Sequence, residues 1–190
     1  IKTLEDNPVL SKKIHVENFG LSNVSSQLEM QSMIKHGYSQ TGGTAIINNN
    51  KYKNFDTFFG DFKIGSDCIK ITNKAIAIKI DVEGHELNVL EGLKKVLQHN
   101  KAIIQIEIFA KNFETTNKYL ISLGFEVLLN ENYGKHLGIK DQHYQEMGAQ
   151  ISKDKIEILN SSDIIVQLEM LTDDVSANLR ENQILIGVLK

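Results

Sequence analysis

The feature that most constrains the fold is a pair of apolar segments in the middle of the chain with an amphipathic segment between them. Residues 75–80 form an apolar run that ends at Asp81, and residues 102–109 form a second run of the same kind. From Glu86 to Gln98 the apolar residues recur every three or four positions, which is the period of an α-helix. A strand, a helix and a strand joined by short loops predict an α/β fold with parallel strands.

The same alternation continues beyond this block. A second amphipathic stretch, from about Phe113 to Leu123, ends at Gly124, where a glycine suits the C-terminal cap of a helix. A further strand is predicted from Phe125 to Leu129. Because the apolar runs are nearly continuous, we expect the strands to be buried on both faces in a Rossmann-like, mainly parallel sheet.

The two ends of the chain give weaker patterns. Residues 4–7 resemble the end of a helix broken at Pro8, and residues 13–19 alternate like a strand that ends at Gly20. A second alternating stretch covers residues 27–31, and residues 35–54 are rich in turn-forming residues, with a turn predicted at Gly42 and Gly43.

The C-terminal portion, residues 130–190, is predicted to add an antiparallel edge to the sheet. Strands are expected at 163–168 and 184–189, with a helix from Thr172 to Arg180 that uses Thr172 as its cap. One proline and 13 scattered glycines leave no obvious linker, so we expect a single domain over residues 1–190.

Composition excludes several classes of protein. The net charge is −3 and Arg180 is the only arginine, so the chain has no basic patch for a nucleic acid. No apolar run is long enough to span a membrane. The single cysteine, Cys68, cannot form an internal disulfide and is expected to be a half-buried apolar residue, which fits a reducing, cytoplasmic compartment.

Candidate chemistry lies where the central strands end, because ligands of open α/β sheets bind beyond the carboxyl ends of the strands. Asp81, Glu83, His85 and Glu86 follow the first strand, and Glu107 lies near the end of the second. If the two strands are neighbours, Asp81 and Glu107 face one crevice.

Structural roles are weighed against functional ones for the same residues. Glu86 lies in the first turn of the predicted helix, where its charge complements the helix dipole, so a structural role is favoured. Asp81 is balanced between a structural and a functional role, and His85 is at least as readily a capping residue as a general base. Lys79, in an otherwise apolar strand, is expected to extend to solvent or to pair with a carboxylate.

These residues carry a family resemblance. Residues 78–86 (IKIDVEGHE), followed by 89–92 (VLEG) and 104–108 (IQIEI), resemble the signature block of FkbM-type methyltransferases. These are class I, S-adenosylmethionine-dependent enzymes, most of which O-methylate hydroxyls of sugars, polyketides or related small molecules. The resemblance extends to residues 16–23 (VENFGLSN) and 41–44 (TGGT), and covers about residues 4–130.

The resemblance implies roles for particular residues. Gly20, Leu21 and Ser22 would lie in the turn after the third strand of the family fold and contact the cofactor. Asp81 would lie near the sulfonium, while Glu83 and Glu107 would line the substrate side.

The implied reaction is an in-line displacement by an acceptor hydroxyl on the methyl group. Asp81 is the first candidate to accept the proton or to orient the acceptor, and His85 is the alternative. Some class I O-methyltransferases hold a divalent metal at this strand end, and an Asp81–Glu107 pair has suitable oxygen ligands, although the sequence does not establish a metal.

One departure from the family pattern leaves alternatives open. The chain contains no Gly-x-Gly pattern, and its first residues resemble the helix after the second strand of the family fold. We expect a fragment of a larger methyltransferase domain that acts on a small-molecule or carbohydrate acceptor, with a homo-oligomer left open. The alternative is a non-catalytic binding or assembly module that has lost the cofactor. A nucleotide-dependent dehydrogenase is a weaker third option, because it too needs a glycine-rich turn.

Overall fold

The computed structural model describes residues 6–39, 41–47, 55–108, 110–167 and 172–187. They fall into two compact units, divided between Thr116 and Asn117. Helices and strands occur in both units, so the predicted α/β class is confirmed.

The first unit begins with a short helix, α1 (Pro8–Ser11), followed by a mixed sheet. Its strands are β1 (Gly20–Ser22), β2 (Ser26–Lys35), β3 (Tyr38–Ser39), β4 (Ala45–Ile46) and β5 (Phe55–Ile64). In this sheet β5 lies between β1, which is parallel to it, and β2, which is antiparallel. β2 also pairs with the short strands β3 and β4, and a 3₁₀ turn over Thr41–Gly43 separates these two, which confirms the predicted turn.

The predicted strand–helix–strand block follows a short helix, α2 (Gly65–Cys68), and is confirmed. Strands β6 (Ala75–Ile80) and β7 (Lys101–Ile106) pair in parallel. The helix between them is divided at Leu93 into α3 (Glu86–Gly92) and α4 (Lys94–Gln98). Phe109, the last residue of the predicted second strand, lies outside the described residues.

The core of this unit is formed by the apolar face of α3 and α4, as the spacing predicts. Leu90 is fully buried, and Leu93 and Val96 are 2% and 3% exposed. Burying each such side chain contributes about 1.5–3 kcal/mol. Close approach fixes α3 against β1, because a Cβ at Gly92 would overlap the backbone carbonyl of Ser22.

The second unit contains two further pairs of strands. The boundary between the units falls within α5 (Phe113–Ser122), which Gly124 follows with a φ of +93°, so the predicted helix and its glycine stop are confirmed. The strands and further α-helices of the second unit are β8 (Leu128–Asn130), α6 (Asp141–Glu146), β9 (Gln150–Ser152), α7 (Lys155–Ser161), β10 (Ile164–Gln167), α8 (Asp173–Ser176) and β11 (Ile184–Gly187). β8 pairs with β9 and β10 pairs with β11, both in parallel.

The expected sheet differs from the observed one in three respects. The described strands form separate sheets, the largest of them mixed, rather than one mainly parallel Rossmann-like sheet. The C-terminal strands are parallel, so the predicted antiparallel edge is wrong; the connection through α8 is a crossover of the length that parallel strands require. β6 is buried on one face only, because its exposed and covered residues alternate.

Three local expectations are also corrected. Pro8 begins α1, since its fixed φ suits a first helical turn, whereas the helix end predicted before it falls partly on residues 4–5, which lie outside the described residues. Residues 14–17 are irregular, and the strand expected to end at Gly20 begins there. Cys68 is exposed rather than half-buried. Among the described residues no helix has the length and apolar character needed to cross a membrane.

Candidate active site

The candidate site lies at the carboxyl ends of β6 and β7. Ile80 is the register partner of Ile106, and the backbone N–H of Glu107 donates to the carbonyl of Ile80 at 3.0 Å. Asp81 and Glu107 therefore follow paired residues on neighbouring parallel strands, and both are exposed. The predicted adjacency of the two strands is confirmed, and it brings two carboxylates to one edge of the sheet.

Asp81 is held by the lysine two residues before it. Lys79 Nζ lies 2.6 Å from Asp81 Oδ2, with the two side chains 59% and 44% exposed. This confirms that Lys79 pairs with a carboxylate. An ion pair this exposed contributes little to stability.

The turn after Asp81 has an unusual backbone. Glu83 has a φ of +50° and Gly84 a φ of +100°, both in the left-handed region. Glycine adopts this region freely, whereas a residue with a Cβ is strained there by about 1–2 kcal/mol. Backbone strain of this kind concentrates at functional sites. The conformation of Glu83, as well as its exposed charge, therefore supports a functional role.

Glu86 supports this turn. The side chain is 1% exposed and accepts hydrogen bonds from the backbone N–H of Gly84 at 2.6 Å and from Asn112 Nδ2 at 3.3 Å. Asn112 also donates to the carbonyl of Gly84. The structural role favoured for Glu86 agrees with this placement. The side chain stabilises the turn through these hydrogen bonds, in addition to placing a charge near the start of the helix.

His85 lies at the N-terminal end of α3 and is half-buried. Its Nε2 is 2.9 Å from Ser22 Oγ, and its ring meets the ring of Phe62 edge to face at 5.8 Å. Burial lowers the pKa of His85 below 6.5, an effect that the charge of Glu86 opposes. The imidazole is therefore neutral at pH 7, which is the form that can accept a proton.

The residues expected to contact the cofactor are placed differently from the prediction. Gly20, Leu21 and Ser22 form strand β1 rather than the turn that follows a strand. Ser22 is fully buried, its hydroxyl is engaged by His85, and the ring of Phe62 fills the space beside Gly20.

The fit of these three residues to S-adenosylmethionine is partial. Gly20 and Leu21 are partly exposed, whereas Ser22 is fully buried and cannot contact a ligand with its side chain. A shallow cavity of about 380 Å³ adjoins the strand and is lined by residues 18–19, 25–27 and 61–63. The role of Gly20, Leu21 and Ser22 as cofactor contacts therefore stays a prediction.

A metal centre is not evident among the side chains that the structure describes. In that part of the chain no group of three or more His, Cys, Asp or Glu side chains is arranged to hold an ion. Asp81 and Glu107 thus form a pair of oxygen ligands at most, and the use of a metal stays an open prediction.

Sequence reasoning missed a group of polar residues that is linked to His85 through Ser22. Asn23 donates to Glu91 Oε2 at 2.6 Å, and Asn88 donates to Asn23 Oδ1 at 3.3 Å. Asn88 and Glu91 are three residues apart on α3 and therefore share a face of that helix. The spacing could have indicated a polar face on this helix. Only the packing of α3 on β1 shows that Asn23 contacts that face.

Comparison with known protein families assigns the site to a class. The model of the methyltransferase FkbM domain matches residues 5–127, which is more than half of the chain and includes the whole candidate site. The chain belongs to the FkbM methyltransferase family. The resemblance carried by residues 78–108 is thereby confirmed.

A second family model matches the C-terminal part of the chain. The N-terminal domain of alanine dehydrogenase and PNT matches residues 114–190. The two matches overlap over residues 114–127, and the boundary between the compact units lies in this overlap. Neither a curated protein nor a solved structure matches the chain.

Proposed function

We propose that the chain is the acceptor-binding part of an S-adenosylmethionine-dependent methyltransferase that O-methylates a hydroxyl of a sugar, a polyketide or a related small molecule. The observation that carries the proposal is the pair of carboxylates, Asp81 and Glu107, at the ends of adjacent parallel strands inside the FkbM family match. When bound, the cofactor supplies an electrophilic methyl group.

The chain's own residues have distinct parts in this proposal. Asp81, oriented by Lys79, holds the acceptor hydroxyl or takes its proton. His85 is the alternative proton acceptor, and its lowered pKa keeps it neutral at pH 7. Glu83 and Glu107 bind the polar groups of the acceptor, in keeping with the many hydroxyls of a carbohydrate or polyketide.

The proposal is tested by methyl transfer with the gene product expressed from its native start codon. Labelled S-adenosylmethionine is incubated with a panel of glycosides and hydroxylated polyketides, and labelled product is identified by mass spectrometry. We expect transfer to an acceptor oxygen. No transfer to any acceptor, together with no binding of S-adenosylhomocysteine, would favour the non-catalytic binding module.

A second candidate function concerns the second unit alone. The match of residues 114–190 to the N-terminal domain of alanine dehydrogenase and PNT favours an oxidoreductase-type module there. A fluorescence titration of the whole chain with NADH and NADPH tests it. Saturable binding supports this candidate, and the absence of binding removes it.

A further inference from the structure

A row of hydrogen bonds links Glu91 to His85 through two residues of the first unit. Asn23 Nδ2 lies 2.6 Å from Glu91 Oε2, Ser22 Oγ lies 3.3 Å from Asn23 Oδ1, and His85 Nε2 lies 2.9 Å from Ser22 Oγ. Ser22 is fully buried, so its hydroxyl has these neighbours in place of water. We call this row, Glu91–Asn23–Ser22–His85, the polar relay.

The donor and acceptor roles along the relay follow from its Glu91 end. A carboxylate only accepts, so the amide group of Asn23 must turn its NH₂ toward Glu91 and its oxygen toward Ser22. Asn88 Nδ2 donates to the same oxygen at 3.3 Å, an arrangement that agrees with the orientation imposed by Glu91. The Ser22 hydroxyl therefore donates its only proton to Asn23.

With its proton committed, Ser22 can only accept from His85. The Nε2 atom of His85 must then carry a hydrogen, and in the neutral ring the lone pair lies on Nδ1. The hydrogen bond on one ring nitrogen thus determines which nitrogen is basic. Among the residues that the structure describes, no hydrogen-bond partner is found for Nδ1 of His85.

We propose that the polar relay holds His85 in the Nε2-protonated tautomer and leaves Nδ1 as its basic nitrogen, so that of the two proton acceptors named above His85 takes the proton while Asp81 orients the acceptor hydroxyl. Ser22, Asn23 and Glu91 are positioning residues in this scheme, and Ser22 acts on His85 instead of on the cofactor. The role of Nδ1 as the proton acceptor rests on the proposed function, whereas the assignment of the tautomer rests only on the hydrogen bonds of the relay.

The tautomer is read directly by nuclear magnetic resonance of the whole chain labelled with ¹⁵N-histidine. Long-range ¹H–¹⁵N correlations at pH 7.5 distinguish the two neutral tautomers, and the spectrum of His85→Gln assigns the signal. His99 is an internal reference, because its Nδ1 lies 2.7 Å from the carbonyl oxygen of Lys95 and must carry the hydrogen. We expect opposite patterns for His85 and His99.

Two variants test the relay from its two ends. Ser22→Ala removes the acceptor for Nε2–H, and we expect the two nitrogen shifts of His85 to move toward each other as both tautomers become populated. Glu91→Gln lets residue 91 donate as well as accept, so Asn23 loses its fixed orientation and a smaller shift of the same sign is expected. Because Glu91 lies at the far end of the relay, this variant decides the question if Ser22→Ala does not fold. Glu126→Gln, an exposed charge-neutralising change, is the control and leaves the spectrum unchanged.

The outcomes separate this proposal from the proposed function. An Nδ1-protonated His85 in the unaltered chain, or unchanged His85 signals in both relay variants, overturns the relay. If methyl transfer is found, Ser22→Ala or Glu91→Gln should lower kcat by at least about tenfold at an unchanged KM for the acceptor, as loss of base alignment predicts. Absence of methyl transfer in the unaltered protein overturns the proposed function and leaves the tautomer result intact.

Discussion

At the scale of single residues, Asp81 combines an exposed carboxylate with an exposed ion pair to Lys79. We predict that Asp81→Asn abolishes methyl transfer and changes the free energy of unfolding by less than about 1 kcal/mol, as expected for an exposed pair. Turnover and urea unfolding measure the two effects. Asp67→Asn, a second exposed aspartate, is the control that retains activity. Equal turnover by Asp81→Asn would remove this residue from the mechanism.

The strained backbone of Glu83 allows its side chain to be tested apart from its conformation. Glu83→Gly keeps the left-handed conformation without strain, so we predict a change in stability of no more than about 1 kcal/mol and a raised KM for the acceptor. Asn73→Gly is matched to it, because Asn73 also has a positive φ, of 56°. A KM that stays the same in both variants would show that the Glu83 side chain does not bind the acceptor.

The buried imidazole of His85 predicts a dependence of stability on pH. Burial lowers the pKa of His85 in the folded protein below its ordinary value of 6.5. As the pH falls below 6.5, the unfolded chain therefore binds a proton at this residue more readily than the folded protein does. The contribution of His85 to stability is therefore complete above pH 6.5 and declines as the pH falls from there toward the lower folded pKa.

Urea unfolding of the unaltered chain and of His85→Gln from pH 8 to pH 5 measures this contribution. The stability of the unaltered chain should fall more steeply below pH 6.5 than that of the variant. Parallel curves for the two proteins would contradict the assignment of a lowered pKa to His85.

The sequence predicted contacts that follow from local spacing better than contacts between residues far apart in the chain. The pairing of Lys79 with a carboxylate and the adjacency of Asp81 and Glu107 follow from residue spacing along two strands, which is a local property. The hydrogen bond between His85 and Ser22 joins residues 63 positions apart. Such a contact depends on how α3 packs against β1, and no local pattern encodes it.

At the scale of secondary-structure elements, the contact between α3 and β1 holds the site together. A Cβ at Gly92 would overlap the backbone carbonyl of Ser22, so Gly92→Ala must move the helix away from the strand. We predict a loss of about 1–3 kcal/mol in the free energy of unfolding, measured by urea denaturation. The overlap is with backbone, which cannot rotate away as a side chain can.

The matched control is Gly43→Ala. No heavy atom lies within 4 Å of a Cβ built at Gly43, and its φ is outside the left-handed region. The free energy of unfolding should therefore stay within about 0.5 kcal/mol of the unaltered chain. Equal losses for the two alanine variants would show that the close approach of α3 and β1 is not what makes Gly92 necessary.

Periodicity identified the elements of the central block but not the direction of the strands elsewhere. The amphipathic pattern of residues 86–98 predicted α3 and α4 because apolar spacing reports directly on a buried helix face. The same information is silent on whether β10 and β11 are parallel, since both arrangements bury an apolar strand equally. The antiparallel expectation failed for this reason.

At the scale of the whole molecule, the chain contains two compact units, and a different family model matches most of each. The boundary between the units, at residues 116 and 117, lies where the two matches overlap, over residues 114–127. The single domain expected over residues 1–190 stays a prediction, because compactness alone does not show that a unit folds independently. No linker in the sequence marks the boundary, since it falls inside the helix α5. A composition search for proline, glycine or serine could not have found it.

Membership in the FkbM family makes cofactor binding the central claim about the whole protein. The most direct test is a calorimetric titration of the gene product, expressed from its native start codon, with S-adenosylhomocysteine. We predict saturable binding of one molecule of the ligand per chain, retained in Asp67→Asn. No measurable heat of binding by a folded protein, at any ligand concentration up to the millimolar range, would contradict its assignment as a methyltransferase.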